Sequence, residues 1–479
     1  MPGAQDRVFV FGCGETVAWR HLTCHGRGRT LRPRDSPAPF RMPDFPVAPG
    51  TGTQITRKHI MRSSLCTAAT AAAILAATGV NPALAKPKYS AAYSFAGGND
   101  GGFPHGGVIA DATGALYGTT SSDGAGHAGV VYKLTPPVSG KKGWTQTTLY
   151  TFTGGADGAT PMAALLADSA GNLYGTTYAG GDANGDGVVF ELSPPAQGQT
   201  AWTETVLHGF TNGHDGAEPA GALIADASGN LYGTTTEGGT GVVGTVFELS
   251  PPAHGHAAWT ETILYDFTGN ADGGEPFGAV LPGAGGSLFG TTAGYGAGND
   301  GTIYQITPPK TGKGAWGLTV LHAFSGGADG EVPRAGLIAD ADGALYGTTA
   351  GFDNSQGTVF KLTQSGNNWT QDVLYRFTGA GFTGNGPWDA VSIDDAGALY
   401  GTTLAVGRSA NGEIFKLTPP AAGKNKWALS VLHVFKGGAA SQFPYSNVLI
   451  GAGGKLFGTS SGSAGESGFY PGNVWEIKQ

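Results

Sequence analysis

Five aspartates, Asp100, Asp157, Asp215, Asp272 and Asp329, stand in near-identical strings: GGNDGG, GGADGA, NGHDGA, GNADGG and GGADGE. Carboxylates gathered at one place can hold a hard cation such as Ca2+ through oxygen ligands. A sixth string, Asp182-Ala183-Asn184-Gly185-Asp186-Gly187, has the D-x-[DN]-x-[DN]-G spacing. In that spacing alternate oxygens face one ion and Gly permits the bend. Its twelfth position is Ser193, so it lacks the closing acid of an EF-hand and is expected to bind weakly. The cation expectation therefore falls on Asp182, Asn184, Asp186, Asp100, Asp157, Asp215, Asp272 and Asp329, with Ca2+ as the one cofactor named. The competing reading is an Asx turn ahead of each Gly, with no ion involved.

Other chemistry is harder to find. Gly296-Ala297-Gly298-Asn299-Asp300-Gly301 fits G-x-G-x-x-G, but it precedes a strand pattern where a dinucleotide site needs a helix. Gly458-Thr459-Ser460-Ser461-Gly462 fits G-x-S-x-G, yet no helical pattern follows to form a nucleophile elbow. With 85 Gly in 479 residues, both matches are expected by chance. His208, His322 and His433 recur where other copies carry Tyr150, Tyr265 and Tyr375, which marks a packing position with a polar tip. No catalytic residue is expected, and the chain reads more as a binding protein than as an enzyme.

These strings are spaced by the elements that must carry them. The pentapeptide LYGTT recurs at Leu116–Thr120, Leu173–Thr177, Leu231–Thr235, Leu345–Thr349 and Leu399–Thr403. It varies to LFGTT at Leu288–Thr292 and LFGTS at Leu456–Ser460, so seven copies follow one another at intervals of 54 to 58 residues. Each copy holds four short strand patterns, a to d. Strand a follows a Pro, as in Pro219–Ile224, and a D-x-x-G turn leads to strand b, the LYGTT segment. A Gly-rich loop leads to strand c, ended by Pro-Pro, and strand d runs from a Trp to a Phe, as from Trp259 to Phe267.

Four strands per repeat, with this much Gly and almost no Gly-free stretch for a helix, define an all-β, seven-bladed β-propeller. The ends predict how it closes. The chain finishes on a c strand, Val474–Ile477, while Tyr89–Phe95 ends on Phe as the d strands do. The N-terminal strand is thus expected to complete the last blade, with strand a innermost around the channel. Strand d, with its alternating Thr, Glu and Gln, is expected to form a solvated outer edge. The d–a and b–c loops then share one face, and the five aspartates are expected to ring the channel mouth there.

The motifs D-x-x-G-x-LYGTT, GTVF-x-L-TPP and W-T-x-T-x-L-x-x-F resemble those of the GloVer tandem-repeat family of exported bacterial proteins, over nearly all of residues 89–479. The resemblance implies an extracytoplasmic repeat protein with no established activity, often with a C-terminal surface anchor. This chain shows no apolar tail before Gln479, so release or non-covalent retention is expected. A weaker similarity, to sensor propellers with D-x-x-G-x-L-W-x-G-T strands, implies ligand sensing.

Ahead of the repeats, residues 1–60 are basic and aperiodic, and read as a disordered or untranslated extension, with Met61 the expected start. Residues 61–85 have the charged, apolar and A-x-A parts of a Sec-type signal peptide, which predicts a secreted, periplasmic or cell-surface protein. The apolar run is too short to span a membrane. Cleavage after Ala85 removes all three Cys, leaving an 86–479 domain held by packing alone. That domain is acidic, so nucleic acid and anionic membranes are not expected partners. The expected function is a monomeric, non-enzymatic scaffold presenting variable b–c loops to an extracellular ligand, a glycan or a protein. The alternatives are an extracellular carbohydrate lyase or hydrolase acting at the channel mouth, and a structural cell-envelope protein.

Overall fold

The computed structural model describes residues 86–479 except 125, 139–142, 182–183, 253–257, 311, 313, 352–356, 379–385, 405–410, 437–442 and 466–467, and of 463–470 only the backbone. The expected extension and signal peptide, residues 1–85, lie outside the described residues. Seven four-stranded antiparallel sheets form the propeller. Blade three shows the unit: Ile224–Ala225, Leu231–Thr235, Thr245–Ser250 and Thr260–Asp266 pair in that order. A β-bulge in the outer pair, between Val246 and Phe247, recurs in the other blades and adds local twist. Among the described residues, no helix is long and apolar enough to cross a membrane.

The ring closes as the end strands predict. Blade seven is built from Leu449–Ile450, Leu456–Ser460, Asn473–Lys478 and, as its outer strand, Lys88–Ser94. Tyr89 pairs with Ile477 and Ser94 with Asn473, so the last c strand has no bare edge.

Strand a is shorter than its sequence pattern. Only two residues pair with strand b, as Ile224 with Tyr232 and Ala225 with Leu231. Above that pair the inner segment turns its carbonyls to the neighbouring blade. Thr176 Oγ1 donates to Gly221 O, 3.3 Å, and Thr234 Oγ1 to Gly278 O, 3.2 Å. The first Thr of every LYGTT copy does the same, and Thr459 closes the circle on Gly106 O at 3.1 Å. This crowding explains the small residues of strand a: a Cβ on Gly106 would lie 2.5 Å from Ala163 O.

The core lies between blades. Tyr232, Val246 and Phe267 of blade three pack on Val280, Leu288, Tyr304 and Ile306 of blade four. In five blades the Phe that ends strand d meets the next blade's c-strand aromatic edge-on, as Phe210 does Phe247 at 5.3 Å. The b-strand Tyr also holds its own turn: Tyr117, Tyr174, Tyr232, Tyr346 and Tyr400 each donate to the Asp of the D-x-x-G turn. Blades four and seven have Gly283 and Gly451 where that Asp stands, and there the aromatic is Phe289 or Phe457, without a hydroxyl to satisfy.

Candidate functional site

The five loop aspartates do not meet. Each is held in its own d–a turn and tied to the outermost strand. Asp157 accepts from Tyr150 Oη at 3.1 Å, Thr153 N at 2.8 Å and Thr153 Oγ1 at 2.5 Å. Asp272 repeats this with Tyr265, Thr268 and Asn270, and Asp100 with Tyr93 and Ala96. Asp215 accepts from Thr211 and Gly213, and Asp329 from Ser325. Their carboxylates sit at the feet of outer strands and not around the channel mouth, facing the d-strand residue seven positions earlier, a Tyr for Asp100, Asp157 and Asp272 and a His for Asp215 and Asp329. His322 takes that Tyr's place, with Nε2 3.0 Å from Asp329, which explains why Tyr and His interchange there. Asp182 and Ala183 lie outside the described residues. Asn184 is exposed, whereas Asp186 is buried and its carbonyl accepts from Glu218 N. Among the described residues, no three His, Cys, Asp or Glu converge to hold a metal ion.

The channel mouth belongs to a different position, the residue after the Pro that opens each inner strand. Blade by blade it is His105, Met162, Ala220, Phe277, Arg334, Trp388 and Tyr445. The residue before that Pro is clamped twice. Glu218 N donates to Asp186 O of the preceding blade, and Glu218 O accepts from Thr236 N of its own. The double clamp forces a left-handed backbone on Phe103, Thr160, Glu218, Glu275, Val332 and Phe443, with φ between 51° and 58°. Such a conformation in a bulky or β-branched residue costs about 1–3 kcal/mol and concentrates at functional sites.

Arg334 is the hub of the mouth and is 7% exposed. Its guanidinium lies 3.8 Å from the Phe277 ring centroid and 4.3 Å from that of Trp388. Trp388 meets Tyr445 edge-on at 5.8 Å, and Tyr445 stacks on His105 at 4.6 Å. One stack of side chains thus runs from blade four through blades five, six and seven to blade one. Only blades two and three break it, with the thin Met162 and the single methyl of Ala220.

The carboxylates gather near that break. Tyr178 of blade two donates its hydroxyl to Glu218 of blade three. Burial, then the charges of Glu218, Glu275 and Asp186, push the Glu237 carboxyl up to about 7. Burial and Asp186 raise Glu218 as well, and burial with Glu218 raises the Tyr178 hydroxyl. Arg334 falls to about 10 through burial, against the charges of Glu275, Tyr178 and Tyr445, and so stays a cation at neutral pH. His105 keeps a small opening to solvent but sits deep among protein atoms, which pulls it down to about 4 and leaves it neutral. The mouth therefore presents rings, one buried cation, and carboxyl and phenol groups able both to donate and to accept hydrogen bonds.

Sequence reasoning missed this set because it followed the repeated aspartates. The available signal was the opposite one: a position fixed by its Pro, yet occupied by seven different residues. A groove of about 320 Å3 on the other side, between the a–b turns of blades two and three, is lined by Asp168, Tyr174 and Asp226, whose carboxylates are engaged within their own blades, Asp168 by Tyr174 and Asp226 by Tyr232.

The family profile described as the Gloeobacter/Verrucomicrobia repeat matches residues 78–283 and 278–478. The chain belongs to that family of propeller repeats. No curated protein matches it. Among solved structures, one from Thermus thermophilus, titled provisionally as an oxidoreductase (glucose dehydrogenase), is 14% identical, covering 82% of this chain and 100% of that one at a TM-score of 0.40. The activity in that title is said of that protein alone.

Proposed function

We propose that this chain is an exported, non-enzymatic binding propeller whose recognition surface is the channel mouth. The observation that carries this is the post-proline position, which holds a different side chain in every blade while the first Thr of the adjoining b strand is the same in all seven. Ligands bind where a rigid frame presents variable groups. Aromatic rings beside groups that both donate and accept suit a hydroxyl-rich ligand, and a glycan is the class to test first. Export rests on the Sec-type pattern of residues 61–85. A glycan array read alongside a reducing-end assay tests the proposal. Binding without new reducing ends is expected and should be lost in Trp388→Ala, whereas ligand turnover would replace the scaffold with an enzyme.

The enzyme reading has one observation in its favour. Glu237, at about 7 beside Glu218 and Glu275, has the proton affinity of a general acid. Turnover abolished by Glu237→Gln would establish it.

A further inference from the structure

The seams between blades differ at one outer position, where strand d faces the turn of the preceding blade. Pairing with the aliphatic residue of strand c defines it: Gln146 opposite Leu134, Glu204 opposite Leu192, Glu261 opposite Leu249 and Gln371 opposite Leu362. Both glutamines bridge the seam. Gln146 Nε2 donates to Asp100 O at 3.4 Å, and Gln371 Nε2 donates to Asp329 O at 3.2 Å. A carboxylate cannot make that bond, since it only accepts. Leu318, Leu429 and Tyr89 fill the position in three other seams, opposite Ile306, Leu417 and Ile477.

Glu204 and Glu261 do not reach out to water as a solvated edge would have them. Their Oε1 atoms are buried, with no hydrogen-bond partner. Glu204 faces Asp157 and Tyr150 of the preceding blade. Glu261 faces Asp215 and lies 3.6 Å from His208 Nε2. Among the described residues, neither forms an ion pair with Lys or Arg.

We propose that Glu204 and Glu261 are proton-dependent seam locks, each donating a carboxylic-acid proton to the turn carbonyl, Asp157 O or Asp215 O, that glutamine serves in the other two seams. Burial, and then the charge of the facing aspartate, raises Glu204 to about 7 and Glu261 to about 8. The folded chain therefore binds these protons more tightly than the unfolded chain does. The stabilisation is complete below the ordinary carboxylate range and is lost as pH rises through 7 and 8. Glutamine has no proton to lose, so the seams from blade seven to one and from four to five hold at every pH. Blades one to three, which carry three of the seven mouth positions, are the part loosened at alkaline pH.

Thermal unfolding of the full chain from pH 5 to 9 tests this, comparing wild type with Glu204→Gln/Glu261→Gln. The double variant should match wild type at pH 5 and exceed its Tm by several degrees at pH 9. Gln146→Glu should add a third pH-sensitive seam and steepen the decline. Infrared spectra at pH 6 should show a protonated-carboxyl band that shrinks in the double variant, a readout independent of Tm. An unchanged Tm difference between wild type and double variant across the range, or a band of unchanged size, would overturn the proposal. Ligand binding is not used, so the result is independent of the function proposed for the mouth.

Discussion

Two rings of seven residues circle the channel, set on adjacent positions of the same inner strands, and they obey opposite rules. The seam ring joins a Thr hydroxyl of one blade to the carbonyl of Gly106, Ala163, Gly221, Gly278, Ala335, Asp389 or Ser446 in the next. The mouth ring is the residue just before each of those carbonyls, and no two copies are alike. The seam reads a backbone oxygen, which every residue type supplies. Its neighbour's side chain is therefore free to vary without loosening the ring. Frame and recognition are separated by a single peptide unit.

That comparison breaks first at the frame. Removing Lys88–Ser94 strips the outer strand from blade seven and bares Asn473–Lys478 as an edge. The expected outcome is the largest of all, a deep loss of Tm with aggregation, read by calorimetry and size-exclusion chromatography. Tyr232→Ala comes next, because that ring is fully buried between blades three and four. It should cost about 3–5 kcal/mol in denaturant unfolding. Thr234→Val keeps the shape but deletes the hydroxyl that reaches Gly278 O, and should cost about 1–3 kcal/mol, with Thr234→Ser close to wild type.

The mouth ring should respond the other way. Trp388→Ala removes one face of the Arg334 sandwich and should change stability by about 1 kcal/mol while abolishing glycan binding. Ala220→Trp, filling the break in the stack, should shift stability by only about 0.5 kcal/mol and still block binding. Mouth variants that lowered stability as much as Tyr232→Ala, with binding intact, would erase the distinction between the two rings.

The linear order of residues already holds the blade count, the strand order and the closure by Tyr89–Phe95, because each rests on local patterns repeated seven times. It also holds the pairing of Tyr with Asp and of Phe with Gly in the a–b turns, since those residues are six apart, as in Tyr232 and Asp226. The candidate site was far less legible. The loop aspartates advertise themselves by repetition, yet repetition reflects the turn each must form, and the hydrogen bonds of their carboxylates stay within seven residues. Only the tertiary structure brings Phe277, Arg334, Trp388, Tyr445 and His105 into one stack, and sets Glu204 and Glu261 against the turns of the preceding blades. These are contacts between blades, made by residues about one repeat or more apart. They depend on how far each blade rotates about the channel axis, which the sum of all the packed seams decides and no single repeat encodes.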